Sequence, residues 1–125
     1  MLMRMWMVDT SILCKNHLMG EYREHFAIAG TMRLKRRIDG YIRNNLVEPK
    51  SIESRFEDIR DEMLCRGYAP KKQFVPPDIS YLPEEHQNYK VDVQSSQDDL
   101  LSRCTSCKDN YDAGLVTDAD TYRKG

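Results

Sequence analysis

The chain has 125 residues, a mass of 14.7 kDa, and 19 Lys/Arg against 20 Asp/Glu, a size that suits one domain able to bury a core without disulfides. Its longest stretch free of Asp, Glu, Lys and Arg is eight residues, His25 to Met32, which excludes a transmembrane helix of about 20 apolar residues. The net charge of −1 argues against a strongly basic nucleic-acid binder, yet residues 1–50 carry nine bases and five acids while residues 76–125 carry five bases and ten acids, an asymmetry open to two readings: a polyanion partner for the front half, or the ordinary charge of helical surfaces.

The opening residues, Met1 to Asp9, are too short and meet an acid too soon to be expected as a signal peptide. Asp9-Thr10-Ser11 offers three candidate N-caps. Ile12, Leu13, Leu18, Met19, Tyr22, Phe26, Ala29 and Met32 follow at helical spacing and predict a first helix, which Gly30 ends or bends. Arg33-Leu34-Lys35-Arg36-Arg37 is the most basic stretch. Asp39-Gly40 is a turn signal, and Tyr41 to Leu46 a short helix.

Pro49-Lys50-Ser51 opens a second main helix along Ile52, Phe56, Ile59, Met63 and Leu64. Its acids come early and Arg66 late, as the helix dipole favours. Gly67 stands where a left-handed residue ends a helix. Pro70, Pro76, Pro77 and Pro83 exclude regular helix through residues 68–92. The apolar residues there (Tyr68, Phe74, Val75, Ile79, Tyr81, Leu82) predict a segment packed against the helices. A third helix is expected over Val93–Arg103, and a fraying tail after Tyr111. The reading is all-α: a single compact domain of about three helices over residues 1–111, with a long irregular packed segment between helices 2 and 3, then an acidic tail over 112–125.

Of the four cysteines, only Cys104 and Cys107 form a C-x-x-C pair. Structural zinc needs further ligands. Cys14 and Cys65 fall within helical patterns and read as buried, free thiols in a reducing compartment. The pair holds a metal only if Cys14, Cys65 or a histidine comes close in space.

On the first helix His17, Glu21 and Glu24 share a face within about 60°. Gly20 leaves that face partly uncovered. A carboxylate in such a half-buried crowd can serve as general acid or base. The competing reading is a solvated charged face with an ordinary histidine.

The string His17-Leu18-Met19-Gly20-Glu21-Tyr22-Arg23-Glu24 closely resembles the helix motif of the pyrimidine-dimer DNA glycosylase/AP lyase family, the phage endonuclease V type. Cys65-Arg66-Gly67-Tyr68, then Asp78-Ile79-Ser80 with Pro83-Glu84, then Ser95 to Arg103 match in the same order. The resemblance spans residues 3–104, with shorter connections in the middle. It implies a cytoplasmic, nucleoid-associated, monomeric all-α enzyme without metal or organic cofactor. Its substrate would be double-stranded DNA holding damaged bases or abasic sites. In that family the α-amine at the chain start attacks the sugar C1′, displaces the base and forms a Schiff base; β-elimination then breaks the strand. An α-amine has a reference pKa of about 7.7–8.0 against about 10.4 for lysine, so part of it is nucleophilic at neutral pH.

Matched position by position, the resemblance makes Met3 the bearer of that amine and Glu24 the catalytic carboxylate. His17 would position DNA or the amine. Arg23 and Arg4 would hold phosphate near the lesion, as a bidentate guanidinium can. Arg33, Lys35, Arg36 and Arg37 would grip the backbone without regard to sequence. Access would come by base flipping.

Three departures accompany the resemblance. The matching start is Met3 rather than Met1, so initiation at Met3 is preferred over removal of two residues or a tail that folds back. Ala27 stands where the family has a further arginine. The end carries Cys104-x-x-Cys107, Asn110-Tyr111 and acids instead of an aromatic, basic tail. The lesion therefore stays open between a pyrimidine dimer and another modified base. The alternative function is a non-catalytic helical DNA-binding or interaction module that keeps the fold.

Overall fold

Helical spacing in the first third becomes the longest element, α1 (Lys15–Arg33). The computed structural model describes residues 3–114, and every regular element among them is helical. After α1 come α2 (Asp39–Arg43), α3 (Ile52–Cys65), α4 (Glu84–Gln87), α5 (Val93–Arg103) and α6 (Thr105–Gly114), with 3-10 turns at Thr10–Ile12 and Pro49–Ser51. The three main helices expected from sequence are α1, α3 and α5; α6 was not foreseen and runs across the expected boundary after Tyr111. Residues 115–125 of the expected tail lie outside the described residues. No helix among those described is long and apolar enough to cross a membrane.

The first helix starts later than its cap signals suggest. Asp9 caps only the 3-10 turn, its carboxylate accepting from the Ser11 amide at 2.8 Å. Leu13 is then extended, and Cys14 becomes the N-cap of α1, its sulfur accepting from the His17 amide at 3.4 Å. Gly30 neither ends nor interrupts the helix, which runs to Arg33.

Three helices end in one way. Lys35, Asn45 and Gly67 take left-handed φ values of 56°, 60° and 90° after α1, α2 and α3. In each case the following amide reaches back five residues, Arg36 to Thr31, Leu46 to Tyr41 and Tyr68 to Met63. This satisfies carbonyls that a helix end leaves without partners. Gly67 is the ending the sequence signalled; Lys35 and Asn45 do the same with a Cβ in the way.

The core has two parts. One gathers Trp6, Val8, Leu13, Leu18, Ile59 and Leu100; the other Met5, Ile28, Met32, Ile38, Val47 and Ile52. Each such side chain contributes about 1.5–3 kcal/mol on burial. Residues 5–8 thread between α1, α3 and α5 and supply both parts.

The proline-rich segment packs as expected. Phe74 stacks on Phe56 with centroids 4.4 Å apart, and Leu82 is buried. The Tyr81 hydroxyl donates to the Arg36 carbonyl at 2.7 Å. Val75 departs from the expectation and is exposed. Both thiols expected to be buried depart as well: Ile59 and Met63 take the inward register of α3 and leave Cys65 exposed at its end, and Cys14, the N-cap of α1 rather than a residue within it, is half-buried.

Candidate active site

A segment outside helix and sheet has no regular internal hydrogen bonds, so its polar groups must find partners elsewhere. Residues 4–8 find them at every turn of the fold. The Arg4 amide donates to Glu24 Oε1 at 3.1 Å. The Met5 amide donates to the Leu46 carbonyl at 2.6 Å. Ser96 donates to the Trp6 carbonyl at 2.7 Å, and Arg55 Nη1 to the Val8 carbonyl at 2.6 Å. The Arg4 guanidinium bonds Asp99 at 2.9 Å and Ser96 at 3.2 Å while lying 3.7 Å above the Trp6 ring. Burial pulls its pKa below the ordinary arginine value, against the pull of Asp99.

This stitching fixes where Met3 lies. Its side chain packs half-buried against the second core cluster. Its backbone nitrogen is one residue from the amide held by Glu24, a step of about 3.8 Å between successive Cα atoms. Beside Glu24 the surface of α1 is open. A Cβ added at Gly20 would meet nothing within 4 Å, and Ala27 is exposed one turn on. Arg23 is exposed as well, with no hydrogen-bond or ion-pair partner among the described residues.

The helix face that carries His17, Glu21 and Glu24 does not act as a unit. Glu21 is 2% exposed and is held by Arg55, 3% exposed, through two bonds of 2.7 and 3.0 Å. Burial alone would pull the Arg55 pKa down; the Glu21 carboxylate more than offsets it, and the net direction is up. Arg55 is a partner that sequence reasoning missed. The signal was its place beside Ile52, Phe56 and Ile59 on the apolar stripe of α3.

His17 turns Nδ1 toward Cys14 Sγ at 3.2 Å and Cys107 Sγ at 3.6 Å, with Trp6 edge-on to its ring at 5.7 Å between centroids. Burial lowers its pKa, against the pull of Glu24 and Glu21. His25, also unremarked in the sequence, is fully buried next to this face; its Nε2–H donates to the Ile52 carbonyl at 3.0 Å.

The basic stretch is similarly divided. Arg33 donates to the Val75 carbonyl, and Arg37 pairs with Asp39. Lys35 and Arg36 are exposed, their side chains without hydrogen-bond or ion-pair partners among the described residues. Of the residues expected to meet DNA, Arg23, Lys35 and Arg36 thus present unengaged charge, whereas Arg4, His17, Arg33 and Arg37 are engaged within the protein. A groove of about 650 Å³ lies elsewhere, lined by Asp9, Asp58, Asp61 and Glu62 among others. Neither Met3 nor Glu24 lines it, and its charge opposes phosphate.

No curated protein sequence and no solved structure gives a significant match to the chain. A family model does. The model described as pyrimidine dimer DNA glycosylase matches residues 3–76, from Met3, through α1 and α3, into the proline-rich segment. That is more than half of the chain, and the chain belongs to the pyrimidine dimer DNA glycosylase family.

Proposed function

We propose that the protein is a DNA repair glycosylase with AP lyase activity, acting on pyrimidine dimers through the N-terminal amine of a chain that begins at Met3. The observation that carries this reading is the 3.1 Å bond from the Arg4 amide to Glu24. The residue-3 nitrogen is one residue from that amide, which supports reach to the half-buried carboxylate next to an open strip of α1.

The free amine lone pair attacks C1′ of the damaged nucleotide. The bond from C1′ to the base breaks, and the base leaves with its electron pair and gains a proton. The amine gives up its protons as the sugar ring opens to an imine. Loss of a C2′ proton then expels the 3′ phosphate, and water hydrolyses the imine to free the protein. Glu24 faces the positive charge that develops at the sugar and carries protons between these steps. Arg23, Lys35 and Arg36 hold backbone phosphates, while Arg4 keeps residues 3–6 against Glu24. Flipping the damaged nucleotide out of the stack brings C1′ within reach, at least cost where pairing is already weakened.

Borohydride reduction on duplex DNA with one abasic site tests this reading. Protein with a verified Met3 terminus should become covalently attached to the DNA, and the same protein acetylated at that amine should not. Failure of the verified Met3 protein to form the adduct overturns the enzyme reading and leaves a helical DNA-binding module. A panel of damaged duplexes then separates dimers from other modified bases.

A further inference from the structure

Cys14 and Cys104 are 90 positions apart, yet their sulfurs lie 3.8 Å from one another. Around them stand His17 Nδ1, 3.2 Å from Cys14 Sγ, and Cys107 Sγ, 3.6 Å from the same imidazole nitrogen. The four atoms all fall within 4.8 Å of one another. Tetrahedral zinc with Zn–S near 2.3 Å and Zn–N near 2.0–2.1 Å separates its ligand atoms by about 3.5–3.8 Å. The cluster therefore has close to the size of a Cys3His zinc shell before any ion draws it in.

The backbone supports the same conclusion. Cys14 Sγ accepts from the His17 amide at 3.4 Å, Cys104 Sγ from the Cys107 amide at 3.4 Å, and Cys107 Sγ from the Cys14 amide at 3.2 Å. Each sulfur thus has a backbone N–H aimed at it, a hydrogen bond that a metal-bound sulfur can accept. The ligands come as two pairs of the same spacing. Cys14-x-x-His17 opens α1 and Cys104-x-x-Cys107 opens α6. A disulfide does not account for them: sulfurs at 3.8 Å are far beyond the bonded distance of about 2.05 Å, and any one disulfide would leave a thiol and an imidazole converging on nothing.

We infer that Cys14, His17, Cys104 and Cys107 bind one zinc ion, which ties the start of α1 to the corner between α5 and α6. Four protein ligands leave no open position, so the ion is structural rather than catalytic. Cys104 and Cys107 lie outside the residues matched by the family. The site joins Cys14 and His17, inside the matched residues, to Cys104 and Cys107 outside them, and its test does not require the proposed glycosylase chemistry.

The full chain, purified under reducing conditions without chelators or a histidine tag, should carry about one zinc per molecule by elemental analysis. Cobalt substitution should give the intense visible spectrum of a tetrahedral ion with sulfur-to-metal charge transfer. The Cys104→Ser/Cys107→Ser double variant should lose the metal and expose α6 to protease, whereas Cys65→Ser should keep its full complement. If the double variant does not fold, titration of the wild-type thiols with a mercurial should release zinc in step with their modification. The inference is overturned by reduced protein that holds no zinc and takes up neither zinc nor cobalt. It is equally overturned by a weak octahedral cobalt spectrum, by full zinc content in the double variant, or by zinc release that ignores thiol modification.

Discussion

The two edges of the stripe shared by Glu21 and Glu24 on α1 treat neighbouring glutamates in opposite ways. On the edge turned to α3, Glu21 is buried and both its oxygens are taken by the Arg55 guanidinium. On the open edge, three residues on, Glu24 is half-buried and accepts one backbone amide through Oε1; Oε2 accepts no hydrogen bond among the described residues. A carboxylate saturated by a buried cation is part of the architecture. One held at a single oxygen beside open surface keeps its other oxygen without a protein hydrogen bond among the described residues.

The sharpest way to break this contrast is Arg55→Ala. It leaves Glu21 buried without its cation and should cost about 3–5 kcal/mol of stability in urea denaturation. A loss below about 1 kcal/mol would show that Glu21 does not depend on the pair. Next comes Glu24→Gln. Release of the damaged base should fall by about 10²–10⁴-fold with little change in the unfolding midpoint. Full activity would remove Glu24 from the chemistry, and a midpoint drop like that of Arg55→Ala would erase the difference between the edges.

A smaller effect comes from His25, one turn along the inner face from Glu21. Burial holds its pKa below the ordinary value of 6.5, partly opposed by Glu21 and the Ile52 carbonyl. As pH falls below 6.5 the unfolded chain takes up a proton that the folded chain does not. Stability is therefore present above that pH and lost below it, with a slope of up to about 1.4 kcal/mol per pH unit. Chemical denaturation from pH 7.5 to 5 should show the loss, and His25→Gln should flatten it; an unchanged slope in the variant rejects the assignment.

The smallest effect sharpens the picture of the basic loop. Lys35→Gly relieves a left-handed φ of 56° and should raise stability by about 0.5–1 kcal/mol. It should also lower the salt dependence of DNA binding by about one unit of slope. Stabilisation with no change in that slope would take Lys35 away from the phosphate contacts.

Much of the fold was legible because helices announce themselves locally. The stripes of α1, α3 and α5, the left-handed Gly67 and the packed proline-rich segment all follow from spacing and from the backbone demands of glycine and proline. The site was legible only in part. Glu24 and Met3 were named by resemblance, and the fold bonds Glu24 to the amide of Arg4, the residue after Met3. What spacing could not reveal is which partner each residue of a shared face meets, because those partners lie 34 positions away for Glu21 and 90 for His17.

By itself the sequence determined an all-α chain, a basic front half, and a helix presenting His17, Glu21, Arg23 and Glu24 at fixed angles to one another. Only the tertiary structure decided that Glu21 is buried against Arg55, that His17 turns to the sulfurs of Cys14 and Cys107, and that Glu24 accepts the Arg4 amide. The reason is physical: helical angles depend on nearest neighbours in the chain, whereas the partner of a polar side chain is chosen by which distant groups the packed core brings within about 3 Å of it.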